Sequence, residues 1–101
     1  MFTVILRDST LKELDRTFHV LNEQYLVQHD KTRFDLLSRL NVLDIDVFSV
    51  GDMDRLGVEL QLVKSTLNNI SDADHVDQIV SMTLLCRRIP GSTLVFNPLL
   101  A

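Results

Sequence analysis

The residues of this chain that most clearly suggest a chemical role are four aspartates in one short segment: Asp44, Asp46, Asp52 and Asp54. No lysine or arginine lies among them. The formal net charge of the chain is −4, so the charges of all other residues cancel and the excess is located here. Clustered carboxylates of this kind can bind a hard cation such as Ca²⁺, or attract a basic partner by complementary charge.

Whether the aspartates could form a calcium site depends on whether their spacing matches that of the ligands in a known calcium-binding loop. An EF-hand loop needs oxygen ligands at its fifth and twelfth positions and a glycine at its sixth. A loop that starts at Asp52 has Gly57 at the sixth position, but Leu56 and Val63 occupy the two ligand positions. A loop that starts at Asp44 fails at the twelfth position, which is an arginine. The spacing therefore excludes an EF-hand.

Other reactive side chains are sparse. His19 and Glu23 are four residues apart and would share one face of a helix, but two mixed ligands without a Cys/His cluster are a weak metal signal. Cys86 precedes two arginines, which favour a reactive thiolate, but its place on an apolar helix face favours a buried structural role. No phosphate-binding loop or hydrolase motif is present. The sequence predicts no cofactor, no metal and no enzymatic activity.

Apolar periodicity predicts the helices. Thr10 and Glu13 have the spacing of a capping box, and apolar residues follow at intervals of three and four. Similar stripes occur later in the chain, the clearest being Met53, Leu56, Leu60 and Val63. Helices are predicted over residues 10–28, 32–42, 52–68 and 72–89.

Short strands are predicted over residues 2–6, 43–48 and 92–96. In the second of them, Leu43, Ile45 and Val47 alternate with Asp44, Asp46 and Phe48. A half-buried strand with this pattern would place the aspartates in solvent and the apolar residues in the core. The remaining two aspartates then fall at the start of the next helix, where a carboxylate stabilises the helix by about 0.3–1 kcal/mol.

These elements predict a single domain over residues 1–101 with a predominantly helical α+β fold. It would contain four helices and three short strands, which can pair into a small sheet that brings the two chain ends together. The alternative is an all-α bundle with extended termini. A length of 101 residues with 46% hydrophobic and 24% charged residues is typical of one ordinary globular domain.

Composition also bears on location. The single cysteine cannot form an intramolecular disulfide, the N-terminal residues make a poor signal peptide, and no apolar run reaches the roughly 20 residues of a membrane span. We expect a cytoplasmic protein. The acidic balance disfavours binding to nucleic acid or to an anionic membrane.

The sequence favours a non-enzymatic module that presents an acidic surface to another protein, one with a basic surface. The predicted contact residues are Asp44, Asp46, Phe48, Asp52 and Asp54. In character the chain is similar to small acidic inhibitors such as immunity proteins and antitoxins, although no motif matches residue by residue. Two alternatives stay open: the aspartates are only a solvated face and helix caps, or the protein is an oligomeric assembly subunit or secretion-type chaperone that pairs through an amphipathic helix stripe.

Overall fold

A four-stranded antiparallel sheet forms one layer of the domain. The structure, a computed structural model, describes residues 1–99. The strands are β1 (Thr3–Arg7), β2 (Glu13–Phe18), β3 (Asp46–Ser49) and β4 (Thr93–Asn97), in the order β2-β1-β4-β3. The helices of this described part are α1 (Glu23–Leu26), α2 (Met53–Ser65) and α3 (Ile70–Arg88).

The core lies between the sheet and the two longer helices. Alternate residues of the central strands, such as Val4 and Phe96, are buried in the same cluster as the apolar stripe of α2. Phe48 of the edge strand β3 belongs to this cluster, and its ring meets that of Phe96 edge to face at 5.5 Å between centroids. The stripe that could have paired with another chain is therefore used inside the domain: Met53, Leu56, Leu60 and Val63.

The predicted fold, with four helices and three strands, is wrong, and so is the all-α alternative. Residues 1–99 contain a four-stranded sheet, and only two of the three α-helices in this range are longer than one turn. The helices predicted over 52–68 and 72–89 correspond to α2 and α3, and the strands predicted over 2–6, 43–48 and 92–96 overlap β1, β3 and β4. The helices predicted over 10–28 and 32–42 do not form.

A hairpin replaces the start of the helix predicted over 10–28. The carboxylate of Asp8 accepts hydrogen bonds from the amides of Thr10 and Lys12 at 2.9 and 3.0 Å, and from the Thr10 hydroxyl at 2.7 Å. Leu11 adopts a left-handed φ of 68°. The hydroxyl that would have capped a helix is thus used in a tight turn, and β2 pairs with β1. A second left-handed residue, Leu21, with φ of 60°, precedes the single turn of α1.

Side chains of α2 prevent a helix over 32–42. In an α-helix the amide of Leu37 would donate to the carbonyl oxygen of Arg33. Here the Leu37 amide donates instead to the Glu59 carboxylate at 2.9 Å, and the Arg33 oxygen accepts from Nη2 of Arg55 at 3.1 Å. The amide of Leu36 also donates to Glu59, at 3.1 Å. The segment is therefore irregular, with one 3-10 turn over Leu37–Arg39.

Replacing Gly57 by alanine is expected to raise the free energy of unfolding by about 0.5–1 kcal/mol, because glycine weakens a helix interior by that amount. A Cβ at this position would lie 3.6 Å from Oγ1 of Thr83, an ordinary contact. Gly91→Ala is the opposing control, since Gly91 has φ of +77° and a Cβ there would approach Ser9 to 3.0 Å. Urea denaturation measures both changes. A destabilised Gly57→Ala variant would show that the helix needs glycine here.

Candidate functional site

The edge strand β3 presents the opposite face from the one predicted. Phe48 lies opposite Leu94 in the sheet, and Asp46 lies opposite Phe96, so these side chains are directed toward the helices. Val47 lies between them and is directed to the outer side of the sheet. The prediction that the aspartates occupy the solvent face and the apolar residues the core face is therefore wrong for this strand.

Val47 and three residues of the irregular segment before β3 form a run of exposed apolar side chains. Val42, Leu43, Ile45 and Val47 keep 52%, 77%, 48% and 57% of their surface accessible, and we call these four residues the 42–47 strip. Asp44 is exposed in the middle of the strip and accepts a hydrogen bond from the Asn41 side-chain amide at 2.9 Å. Single exposed apolar residues are common, but four within six positions are a local concentration of apolar surface that favours an interaction site.

Asp46 has a different environment from Asp44. Its side chain is partly buried, and among residues 1–99 its Oδ2 atom has no hydrogen-bond partner. Burial raises the pKa of this carboxyl, the neighbouring Asp44 raises it further, and Arg39 opposes the shift. An inward-facing carboxylate on an edge strand discourages pairing with a strand of another chain. Asp46 therefore protects the edge of β3, while the outer face of the strand stays open.

The other two aspartates have local partners. The carboxylate of Asp52 accepts hydrogen bonds from the amide and the hydroxyl of Ser49, at 3.1 and 3.3 Å, and closes a capping box before α2. Asp54 forms an ion pair with Nε of Arg87 at 2.9 Å. Helix capping thus accounts for Asp52, and the ion pair between α2 and α3 accounts for Asp54.

Of the five residues predicted to contact a partner, Asp44 and Asp54 are exposed at the surface, Asp54 within its ion pair with Arg87, whereas Asp46 and Asp52 are partly buried. Phe48 is buried in the core and is not available to a partner. The exposed apolar strip was missed. The signal that could have revealed it is Phe48. Residues 46 and 48 are two apart and lie on the same face of a strand, so burying the Phe48 ring turns Asp46 inward and the aliphatic residue between them outward.

A second polar cluster fixes the N-terminal strand to α3. Oδ1 of Asn22 accepts a hydrogen bond from the Phe2 amide at 2.7 Å, and Nδ2 of Asn22 donates to the Phe2 carbonyl oxygen at 2.8 Å. The same Nδ2 atom lies 3.1 Å from Nε2 of His75. Burial lowers the pKa of His75 to about 4, and the nearby ring of His19 adds to this effect. His19 in turn meets Asp72 at 3.1 Å. These contacts are structural.

Two further features concern metal and membrane chemistry. No three His, Cys, Asp or Glu side chains come together as a metal site within residues 1–99. In the same part of the chain, no helix combines the length and the apolar character required to cross a membrane. Cys86 is buried, and the Ser92 hydroxyl donates to its Sγ atom at 3.2 Å.

Compared with protein-family models, curated proteins and solved structures, the chain shows no significant match. Function must therefore be inferred from the chain's own surface chemistry.

Proposed function

We propose that this protein is a non-enzymatic protein-binding module that uses the 42–47 strip, with Asp44 at its centre, to bind a basic partner. The observation that supports this proposal is the exposure of four apolar side chains within six residues. Covering apolar surface contributes roughly 25 cal/mol per Å², so such a patch favours association. We also propose a cytoplasmic location, in keeping with a single buried cysteine.

The composition of the surface defines the partner's chemistry. An apolar strip supplies most of the affinity of an interface, whereas charges at its border set orientation and association rate. Asp44 is exposed within the strip, and the whole chain has a net charge of −4. The matching partner surface has an apolar patch with a lysine or arginine placed opposite Asp44. Small inhibitors of basic proteins, such as immunity proteins and antitoxins, are the class that this arrangement fits best.

Replacing apolar residues of the strip by charged ones should weaken binding strongly. We expect the double variant Leu43→Asp, Ile45→Asp to raise the dissociation constant at least about 100-fold, because truncating central interface residues typically removes 2 kcal/mol or more. Surface plasmon resonance with the purified partner measures the change. The partner is a protein that the immobilised wild type retains from a lysate of the cells that produce it, and it is chosen before any variant is tested.

The matched control is Val20→Asp, an exposed apolar residue that follows β2 at the opposite edge of the sheet. It should bind like the wild type. Asp44→Lys should slow association and reduce its dependence on salt. Equal affinity of the strip variant and the wild type would refute the proposed site.

A further inference from the structure

The side of α2 and α3 that faces away from the sheet contains an apolar groove. Its volume is about 310 Å³, and it runs between the two helices. Val58 and Leu84 lie on its walls with half of their surface exposed, and Val80 lies beside them. Gly57 leaves the middle of the groove without a side chain. We call this surface the outer helix face.

An ion pair between α2 and α3 lies toward each end of the outer helix face. Asp54 meets Nε of Arg87 at 2.9 Å at one end, and Nζ of Lys64 meets Asp77 at 2.9 Å at the other. All four side chains remain substantially exposed. Each end of the face thus offers one positive and one negative group to an incoming surface.

We propose that the outer helix face binds a second copy of this chain and forms a symmetric dimer with a four-helix interface. A two-fold axis in the interface plane can run parallel or perpendicular to the helices. With a parallel axis, Asp54 of one copy faces Arg87 of the other, and Lys64 faces Asp77. With a perpendicular axis, Asp54 faces Lys64, and Arg87 faces Asp77. Opposite charges meet in both arrangements, so the face is complementary to itself.

The size of the face sets the expected strength. The 13 residues of α2 extend for about 20 Å at 1.5 Å per residue, so the shared surface lies at the low end of interface areas. Gly57 allows the opposing helices to approach closely at the centre. We therefore expect a concentration-dependent equilibrium rather than an obligate dimer. The 42–47 strip lies elsewhere, so this association goes beyond the partner binding proposed above and does not depend on it.

Two charge variants test the self-complementarity. Asp54→Lys with Asp77→Lys makes the ends of the face positive, and Lys64→Glu with Arg87→Glu makes them negative. The four substituted side chains are exposed at the surface, so we expect the substitutions to have little effect on folding. Circular dichroism of each variant checks this expectation. In sedimentation velocity runs the wild type should dimerise with rising concentration, each variant should be monomeric, and their equimolar mixture should form a heterodimer for either axis.

Apolar variants separate this face from the strip. Leu84→Asp should lower the association constant at least tenfold, and Leu85→Asp, which lies outside the groove, should leave it unchanged. Leu43→Asp should also dimerise normally. The proposal is overturned if the wild type is monomeric up to about 1 mM, if the mixed charge variants do not associate, or if Leu43→Asp abolishes the dimer.

Discussion

Replacing Glu59 by alanine is expected to lower the free energy of unfolding by about 3–5 kcal/mol. The Glu59 side chain is fully buried and accepts hydrogen bonds from the amides of Leu36 and Leu37. Without the carboxylate, two buried amides lose their partners, and each unsatisfied group contributes a penalty of about 1–3 kcal/mol. Urea or thermal unfolding measures the change.

Two control variants separate the hydrogen bonds from the ion pair. Glu59→Gln keeps an acceptor for the two amides and should lose less stability than the alanine variant. Arg55 donates to Glu59 at 2.8 Å, but its side chain is largely exposed, so Arg55→Ala should lose only about 1 kcal/mol or less. A loss below about 1 kcal/mol for Glu59→Ala would contradict the role of Glu59 as the anchor of residues 33–40.

Acidification is expected to destabilise the protein by about 2–3 kcal/mol between pH 7 and pH 4.5 through His75 alone. The pKa of His75 falls from an ordinary value of 6.5 to about 4 in the folded protein. Below pH 6.5 the unfolded chain therefore binds a proton that the folded chain does not, and stability decreases as the pH falls. Only above about pH 7.5 is the residue essentially neutral in both states, and its contribution is then constant.

Variants identify the group responsible. His75→Gln should flatten the dependence of stability on pH between 6.5 and 4.5, even if it changes the overall stability. His29 is exposed, and His29→Gln should leave the slope as in the wild type. Carboxyl groups with a lowered pKa, such as Asp8 and Asp30, act mainly below this range. An unchanged slope in His75→Gln would assign the effect to another group.

The helices that local sequence could predict are those whose apolar stripe faces the core. Leu56 and Leu60 of α2 and Ile79 of α3 recur at helical spacing and are fully buried. In these segments the sequence pattern and the tertiary packing favour the same structure, so the pattern was sufficient.

The segments that could not be predicted depend on contacts made far along the chain. The Asn22 side chain accepts a hydrogen bond from the Phe2 amide, and the Glu59 carboxylate accepts hydrogen bonds from the amides of Leu36 and Leu37. Neither contact leaves a local signal. A helical stripe over 10–28 therefore gave a wrong helix, although its residues carry the expected spacing.

The face of β3 was predicted wrongly for an energetic reason. Burying the Phe48 ring contributes roughly 1.5–3 kcal/mol. The opposing cost of placing Asp46 on the same side is limited, since an edge strand leaves that carboxylate only partly buried. The aromatic residue therefore determines the register, and Val47 is directed to the outer side of the sheet, while Val42, Leu43 and Ile45 are exposed in the segment before β3.

Site-specific photo-crosslinking tests the binding role of the strip most directly. A photoreactive residue replaces Ile45 in one variant and Val20 in a matched control, each expressed in cells that produce the protein. We expect the label at position 45 to crosslink one protein with a basic surface, and the label at position 20 to give no such product. High salt before irradiation should reduce the yield. Equal crosslinking from both positions, or a product from position 20 alone, would contradict the proposed binding surface.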